Sequence, residues 1–265
     1  METKLWSYIQ SVKEKSPLVH NITNYVVMNN TANALLAIGA SPIMAHAKSE
    51  LKEMVGISSA LVINIGTLDE YWAEAMLEAA HHAHEKRLPW VLDPVGAGAT
   101  AYRNAVLQQL LALHPDIIRG NASEIMALAQ NNSIKTKGVD STADSSEAEE
   151  YAQQLAKDFQ TVVCVSGATD IITDGKKTIY LNNGHPMMAK VTGMGCTATA
   201  ITGAFAAVVE DKLDATVAAM SLLGVAGEIA AETAMGPGSL QIHLLDKLYN
   251  LHQDEFVHRL KISQK

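Results

Sequence analysis

The stretch that decides the fold is residues 60–98, ALVINIGTLDEYWAEAMLEAAHHAHEKRLPWVLDPVGAG. It begins with a continuous apolar run at 60–65, a pattern that predicts a strand buried on both faces. Asp69 then provides an N-cap for a long helix that runs to about Arg87. A second apolar strand covers 89–93. A strand, a helix and a second buried strand in this order predict two parallel strands joined by a crossover helix.

The same alternation continues on both sides of this unit. The polar segment 20–24 lies between the first two helices and is not predicted as a strand, and residues 136–150 are polar and acidic and predict a surface loop. Further strands are predicted at 41–45, 116–119 and 161–166, with a hairpin of 171–174 and 177–181 that turns at Gly175. Helices are predicted at 4–15, 26–38 (ended by Gly39), 50–57, 102–113 and 122–129. A further helix follows the loop at 136–150 and ends near 158, and helices dominate from Cys196 to the end, with a restart at 236–238.

This alternation predicts an α/β fold with a mostly parallel central sheet covered by helices on both faces. We found no linker-like composition and no internal repeat, so a single domain over residues 1–265 is expected. Ligands of open α/β sheets bind beyond the carboxyl ends of the strands. The residues that follow predicted strands are Met44, Gly66, Asp93, Arg119, Ser166 and the loop before Cys196.

Composition and charge exclude several classes of protein. Of the 265 residues 48% are hydrophobic and 18% are charged, which excludes a disordered chain, and the net charge of −8 argues against a nucleic-acid partner. Two cysteines cannot build a disulfide framework, which favours a reducing, cytoplasmic compartment. The first 15 residues lack the pattern of a secretory signal. The uncharged run at 191–209 approaches the length of a membrane span, but its threonines and glycines favour a buried helix that opens on a glycine-rich turn.

That turn is the first candidate site. Residues 191–197, VTGMGCT, place two glycines just before a helix, where free backbone N–H groups and the helix dipole suit a phosphate or a developing negative charge. A plain glycine-rich turn is the alternative. Cys196 lies where the helix begins, so the dipole is expected to lower its pKa. The alternative for Cys196 is a small buried hydrophobic residue, the role expected of Cys164.

Two acidic residues form the second candidate site. Asp93 ends a predicted strand and Glu124 lies in the first turn of a predicted helix, so the two carboxylates could hold Mg²⁺ through water. The spacing of Asn121 and Glu124 equally suits a capping box, with Asn121 as the N-cap.

Other polar positions carry weaker signals. Arg119 ends an apolar strand and needs an anionic partner, either a nucleotide phosphate or a structural carboxylate. His81, His82 and His84 cluster on one helix, but neighbouring positions do not share a face and no Cys or third face-matched His joins them, which favours a solvated surface over a zinc site. The sequence has neither a P-loop nor a nucleophile elbow, although several kinase folds lack a P-loop as well.

Four strings together resemble one family. They are PLVHNITNYVVMNNTANALLAIGASPIMA (17–45), VLDPVGAGAT (91–100), NASE (121–124) and VTGMGCTATA (191–200). In this order and at these separations they resemble hydroxyethylthiazole kinase. The resemblance implies a ribokinase-like three-layer α/β/α fold. It implies transfer of the γ-phosphate of ATP to the alcohol of 4-methyl-5-(2-hydroxyethyl)thiazole, in thiamine salvage. It also implies a homotrimer with active sites at the subunit interfaces.

The resemblance also assigns roles to individual residues. It implies that Met44, Gly193 and Asn24 bind the substrate, that Arg119, Ser166 and Gly195 bind ATP, and that Asp93 and Glu124 organise Mg²⁺ on the phosphates. Residues 193–196 would form an anion hole beside the reacting hydroxyl. Cys196 is the catalytic candidate, at a position where most ribokinase-like kinases carry an aspartate base. The general base is therefore either Cys196 or no residue of the protein.

Two other functions stay open on the sequence alone. One is another ribokinase-like activity, such as a vitamin-precursor kinase or a nucleotide-dependent hydrate dehydratase, against which the 20–24 string and Cys196 speak. The other is a binding protein that has lost catalysis, against which Asp93, Glu124 and the glycine pair speak.

Overall fold

The computed structural model describes residues 1–132 and 145–264. In this part of the chain nine strands form one sheet. They are β1 Leu18–Ile22, β2 Ser41–Ile43, β3 Ala60–Asn64, β4 Trp90–Asp93, β5 Ile117–Asn121, β6 Val162–Ser166, β7 Asp170–Thr173, β8 Thr178–Leu181 and β9 Ile262–Gln264.

The strands lie in the order β2-β1-β3-β4-β5-β6-β7-β8-β9. The first six are parallel to one another, and β7, β8 and β9 continue the sheet as antiparallel strands. The prediction of a mostly parallel sheet is confirmed. From β1 the chain continues to β2 on one side, whereas from β3, the other neighbour of β1, it continues to β4 on the opposite side. The reversal creates a crevice at the carboxyl ends of β1 and β3, where open α/β sheets bind ligands.

Helices cover both faces of the sheet. They are α1 Glu2–Lys15, α2 Met28–Ala37, α3 Leu51–Ile57, α4 Glu70–Lys86, α5 Ala101–Leu111, α6 Ala122–Asn132, α7 Ser145–Phe159, α8 Met194–Val208, α9 Lys212–Thr233, α10 Pro237–Asn250 and α11 Gln253–Arg259, with short 3₁₀ turns at Lys48–Glu50 and Pro186–Lys190. One core joins a sheet face to α1, α2 and α8–α11, and a second core joins the other face to α3–α7. The three-layer α/β/α expectation is confirmed.

Residues 60–98 form the strand, helix and second strand that the sequence predicts. Asp69 caps α4 by accepting a hydrogen bond from the Trp72 N–H at 2.8 Å. Adjacent residues of β3 and β4 alternate between the two cores: Val62 and Val91 enter one, and Leu61 and Leu92 enter the other. Continuous apolar runs are therefore needed, because both faces of these strands are buried.

The main correction concerns β1, which the sequence does not predict as a strand. Its polar residues His20 and Asn21 are fully buried, yet β1 lies second from one edge of the sheet and pairs with both β2 and β3. One polar atom of each side chain has a local partner, while His20 Nδ1 and Asn21 Oδ1 are buried without a partner among the described residues. The His20 Nε2 atom lies 2.7 Å from the Ala45 carbonyl, and Asn21 Nδ2 donates to the Val19 carbonyl at 2.9 Å.

Smaller differences concern the ends of elements. β9 adds a strand to a C-terminal region predicted as helical, and α8 begins at Met194, two residues before Cys196. Of the predicted loop at 136–150, residues from Ser145 onwards are helical and residues 136–144 lie outside the described residues. Among the described helices, α9 is long and apolar enough to cross a membrane, but most of its apolar length is buried within the protein.

Candidate active site

Strand register brings four side chains into one row. Asn64 pairs with Asp93, and Arg119 pairs with Cys164. Asp93 and Arg119 also stand side by side, because each follows the paired residues Leu92 and Ile118. Residues two positions earlier in these strands pack against the α8 side of the sheet, and side chains alternate between faces. The row therefore crosses the carboxyl ends of β3 to β6 beneath the start of α8.

Glycines let the first turn of α8 approach this row closely. Gly193 has φ 79°, and a Cβ there would lie 2.4 Å from Val27 Cγ1. A Cβ on Gly195 would lie 2.7 Å from Arg119 Nη1. The turn is only half-buried, and helical geometry leaves the N–H groups of its first residues without i−4 partners. Backbone donors and a guanidinium therefore converge on one accessible spot, which suits an anion.

Asp93 lies at the centre of the row and is buried. Its Oδ2 accepts hydrogen bonds from Asn64 Nδ2 at 2.6 Å and from Thr199 Oγ1 at 2.8 Å. Burial raises the pKa of the Asp93 carboxyl to about 6, although the positive charge of Arg119 opposes the shift. Asp93 is therefore charged at neutral pH but changes charge only slightly below it.

Cys196 lies above the same row, half-buried in the first turn of α8. Its Sγ accepts a hydrogen bond from Asn24 Nδ2 at 3.4 Å. Burial raises the pKa of the Cys196 thiol, and the negative charge of Asp93 raises it further. The lowered pKa expected from the helix dipole is therefore wrong, because desolvation and a neighbouring carboxylate outweigh the dipole here. The thiol is neutral at pH 7.

Arg119 is a buried cation that forms no ion pair within the described residues. It is 9% exposed, and its Nε lies in the interior without a hydrogen-bond partner. The charges of Asp93 on the adjacent strand β4 and of Asp170 on β7, two strands away, act on it at longer range. Of the two partners that the sequence left open for Arg119, the structural carboxylate is not observed, and the anionic ligand is favoured.

Glu124 forms the capping box that the sequence offered as an alternative. Its Oε2 accepts from the Asn121 N–H, and Asn121 Oδ1 accepts from the Glu124 N–H, both at 2.9 Å. Its Oε1 accepts from the Gly96 N–H at 3.0 Å, so Glu124 also fixes the loop after β4. Capping does not remove the negative charge of Glu124. Each carboxylate oxygen also keeps a second lone pair that a metal ion could use.

The remaining predicted residues lie at the same edge of the sheet but outside this hydrogen-bond network. Met44 directly follows β2 and is half-buried, beside the Ala45 carbonyl that His20 contacts. Ser166 ends β6 two pairs beyond the row, and its Oγ is buried without a hydrogen-bond partner. The structure thus joins Asn24, Asp93 and Cys196 through hydrogen bonds and places Arg119 and Gly195 against them.

Sequence reasoning missed two polar residues of the site. Asn64 and Thr199 both bond to Asp93, and Asn64 also accepts from Asn24 Nδ2 at 2.8 Å. The signal for Asn64 was present, since it is the single polar residue in the apolar run at 60–65. Thr199 had no such signal, because it is one of several threonines in α8.

Comparison with known proteins identifies the family that carries this site. The model of the hydroxyethylthiazole kinase family matches residues 9–254. This chain belongs to the hydroxyethylthiazole kinase family. A hydroxyethylthiazole kinase from Syntrophus aciditrophicus is 52% identical over 258 residues, which cover 97% of this chain and 96% of that protein.

Solved structures agree with this assignment. The hydroxyethylthiazole kinase structure from Pyrococcus horikoshii matches with a TM-score of 0.93 and 43% identity, over 99% of both chains. A ribokinase-like superfamily protein from Enterococcus faecalis matches with a TM-score of 0.63 and 13% identity over 94% of both chains, a likeness that concerns the fold alone. The expectations of a ribokinase-like fold and of a thiazole kinase are confirmed.

Proposed function

We propose that this protein transfers the γ-phosphate of ATP to the hydroxyl of 4-methyl-5-(2-hydroxyethyl)thiazole at the start of α8, as a step of thiamine salvage. One observation carries the proposal: the half-buried first turn of α8 lies against Arg119 and above Asp93. Phosphoryl transfer needs mainly positioning and charge stabilisation, and both are supplied by this arrangement. Membership of the kinase family makes ATP the co-substrate.

Three groups of the site are available to bind the triphosphate. The Arg119 guanidinium has an unpartnered Nε, and the Ser166 hydroxyl, two pairs further along the adjacent strand β6, is an unpartnered buried group. The backbone of residues 193–196 adds donors without a side chain in the way. We assign these groups to the triphosphate, and we assign Met44, Asn24 and Gly193 to the thiazole alcohol.

The two acidic residues of the site suit an Mg²⁺ ion that is also bound by substrate phosphates and water. Within the described residues no cluster of three or more His, Cys, Asp or Glu side chains could hold a metal ion. Mg²⁺ commonly binds through one or two carboxylates, water and substrate phosphates, so a full protein cage is not required. Asp93 and Glu124 would hold the ion, whose charge would neutralise the phosphates.

The acceptor side falls to Cys196. Since burial keeps its thiol protonated at neutral pH, Cys196 orients the alcohol at the helix start rather than acting as a thiolate base. The hydroxyl proton then leaves late, as the loose transition state of phosphoryl transfer permits.

Assembly is proposed on the family pattern and on exposed apolar side chains beside the site. Tyr25, Val26 and Tyr71 are 59%, 65% and 47% exposed. Tyr25 and Val26 directly follow Asn24, so a partner that covers them would complete the substrate site. We therefore propose a homotrimer with active sites at the subunit interfaces, formed by single-domain chains in the cytoplasm. The cytoplasmic assignment agrees with the two free cysteines.

Trimer formation gives a prediction of its own. Sedimentation equilibrium should return about three times the chain mass of 28.4 kDa. Val26→Glu should lower this mass and the activity together, because it places a charge in the proposed interface. A monomer with full activity would contradict the shared site.

The function is tested by ADP release from purified protein. Release should need the thiazole alcohol, ATP and Mg²⁺ together. Pyridoxal serves as the competing alcohol, because it would reveal a vitamin-precursor kinase of the same fold. ADP release with pyridoxal but not with the thiazole alcohol would overturn the proposal, and the absence of release with any alcohol would indicate a binding protein.

Glu124→Gln separates the metal role from the capping role. It should lower kcat about tenfold to a hundredfold and raise the Mg²⁺ concentration needed for half-maximal rate, because the charge is lost. The matched control is Asn121→Ala, which breaks the capping box and costs about 1 kcal/mol of stability but keeps the charge. Equal kcat losses in both variants, with unchanged Mg²⁺ dependence, would favour capping alone.

Substitutions of Cys196 test orientation against base catalysis. Cys196→Ser should keep kcat within about tenfold of wild type, since a hydroxyl can also orient the alcohol. Cys196→Asp should also be active. Because the thiol pKa is raised, an orienting thiol predicts flat activity between about pH 7 and 8.5. A rise through the thiol pKa that disappears in Cys196→Asp would instead identify a thiolate base. Wild-type kcat and KM in Cys196→Ala would reduce Cys196 to packing.

A further inference from the structure

Asn64 connects the two halves of the candidate site. It is buried at the end of β3. Its Nδ2 donates to Asp93, and its Oδ1 accepts from Asn24 Nδ2 at 2.8 Å and from the Gly66 N–H at 2.9 Å. The phosphate side and the alcohol side of the row are therefore joined through one amide.

The orientation of the Asn64 amide is fixed from both ends. The Gly66 N–H can only donate, so the oxygen of Asn64 must face it. The Asp93 carboxylate accepts, so the nitrogen of Asn64 must face that side. Both demands select the same orientation, and the reversed amide would set two donors together and two acceptors together.

The orientation of the Asn24 amide follows from that of Asn64. Since the oxygen of Asn64 faces Asn24, Asn24 must present its nitrogen there. The same nitrogen also donates to Cys196 Sγ. Its two hydrogens are then both used, and the oxygen of Asn24 remains. Within the described residues no hydrogen bond ends on Asn24 Oδ1. This oxygen is also absent from the set of fully buried polar atoms without a partner, so it is open to a ligand.

We propose that Asn64 is a positioning residue that sets specificity for an alcohol, by holding Asn24 so that its Oδ1 accepts a hydrogen bond from the substrate hydroxyl. A hydroxyl donates to this oxygen, whereas an alkyl group in its place leaves the oxygen unpaired. The inference rests on the proposed function, since it takes the hydroxyethylthiazole as the ligand. Gly66 supports the arrangement, because a Cβ there would lie 2.7 Å from Asn24 Nδ2.

The test compares the affinities of two ligands by calorimetry without nucleotide. The ligands are the thiazole alcohol and its deoxy analogue, 4-methyl-5-ethylthiazole. Wild-type protein should prefer the alcohol about tenfold, the value of one well-made hydrogen bond. Asn64→Leu should reduce this preference to about twofold or less. Asn64→Asp should retain it, because two buried carboxyls at this distance share one proton: the new O–H donates to Asp93 while the other oxygen still accepts from Asn24 and Gly66.

Two further variants act as controls. Asn21 is a second buried asparagine, on the neighbouring strand β1, and within the described residues its side chain donates only to the Val19 carbonyl of its own strand. Asn21→Leu should therefore keep the preference. Asn24→Ala should lose it, and adding Asn64→Leu should cause no further loss, because Asn64 acts through Asn24. Asn64→Ala replaces Asn64→Leu if the latter does not fold.

The outcomes separate the two proposals. Wild-type protein that fails to bind or phosphorylate the thiazole alcohol would overturn the proposed function. Wild-type protein that phosphorylates the alcohol but binds both ligands equally would overturn this inference alone. The same holds if a folded Asn64→Leu keeps the full preference, or if Asn21→Leu loses it to the same extent.

Discussion

Asp93→Asn should lower kcat by about 10² to 10³-fold while leaving the protein folded and at least as heat-stable as wild type. The Asn oxygen can still accept from Asn64 and Thr199, so the local hydrogen bonds persist. The negative charge that would hold Mg²⁺ is lost. Because burial raises the pKa of Asp93 to about 6, well above its unfolded value, its charge opposes folding at neutral pH. Removing that charge should not lower the melting temperature.

The pH profile gives an independent measurement for Asp93. Protonation of the wild-type carboxyl below about pH 6 should reduce kcat/KM as the pH falls through this value. The residual activity of Asp93→Asn should lack this decline. Thermal unfolding and steady-state kinetics on the same preparations check both parts. A variant with near wild-type kcat, or one that loses activity only because it unfolds, would contradict the role of Asp93.

Arg119→Met should raise the KM for ATP by about a hundredfold and lower kcat as well. The guanidinium is the charged group nearest to Gly195, so its loss removes electrostatic stabilisation of the transferring phosphate. Affinity for the thiazole alcohol should change less than threefold, since Arg119 forms no hydrogen bond to Asn24 or Cys196 in the described residues. Arg119→Lys should rescue little, because a lysine is a point charge without the planar fork.

Stability without ligand should change much less than ATP binding in Arg119→Met. Removal of the buried cation relieves its desolvation cost, but it also removes the positive charge that stabilises the buried carboxylates of Asp93 and Asp170. The melting temperature without ligand should therefore stay close to that of wild type, while the stabilisation that ATP gives to wild type should disappear. A folded variant with an unchanged KM for ATP would show that Arg119 does not contact the phosphates.

The layout of the fold could be predicted wherever the apolar pattern was unambiguous. The run at 60–65 and the Asp69 cap both gave correct elements, since a strand buried on two faces is apolar over most of its length. β1 failed this test because His20 and Asn21 break the apolar pattern. The partner of His20, the Ala45 carbonyl, lies 25 residues away and is brought to it only once the chain has folded.

The candidate site could also be predicted from the sequence only in part. Residues that follow predicted strands, such as Asp93 and Arg119, could be found because parallel strands end at one edge of the sheet. Local sequence could not give the pKa of Cys196. Its direction depends on burial and on Asp93, which lies about a hundred residues away in the chain. Asn64 was missed for a related reason: its importance lies in hydrogen bonds to Asp93 and Asn24, which lie far from it in the chain.

Protection of Cys196 from alkylation tests most directly whether the alcohol binds at the start of α8. Cys164 is an internal control, since it is fully buried and burial raises its pKa to about 12. At about pH 8.5 iodoacetamide should modify Cys196 alone, as read by peptide mass spectrometry. The rate should fall at least tenfold when the thiazole alcohol saturates the enzyme. An unchanged rate of Cys196 modification at saturating thiazole alcohol would contradict a site at this helix.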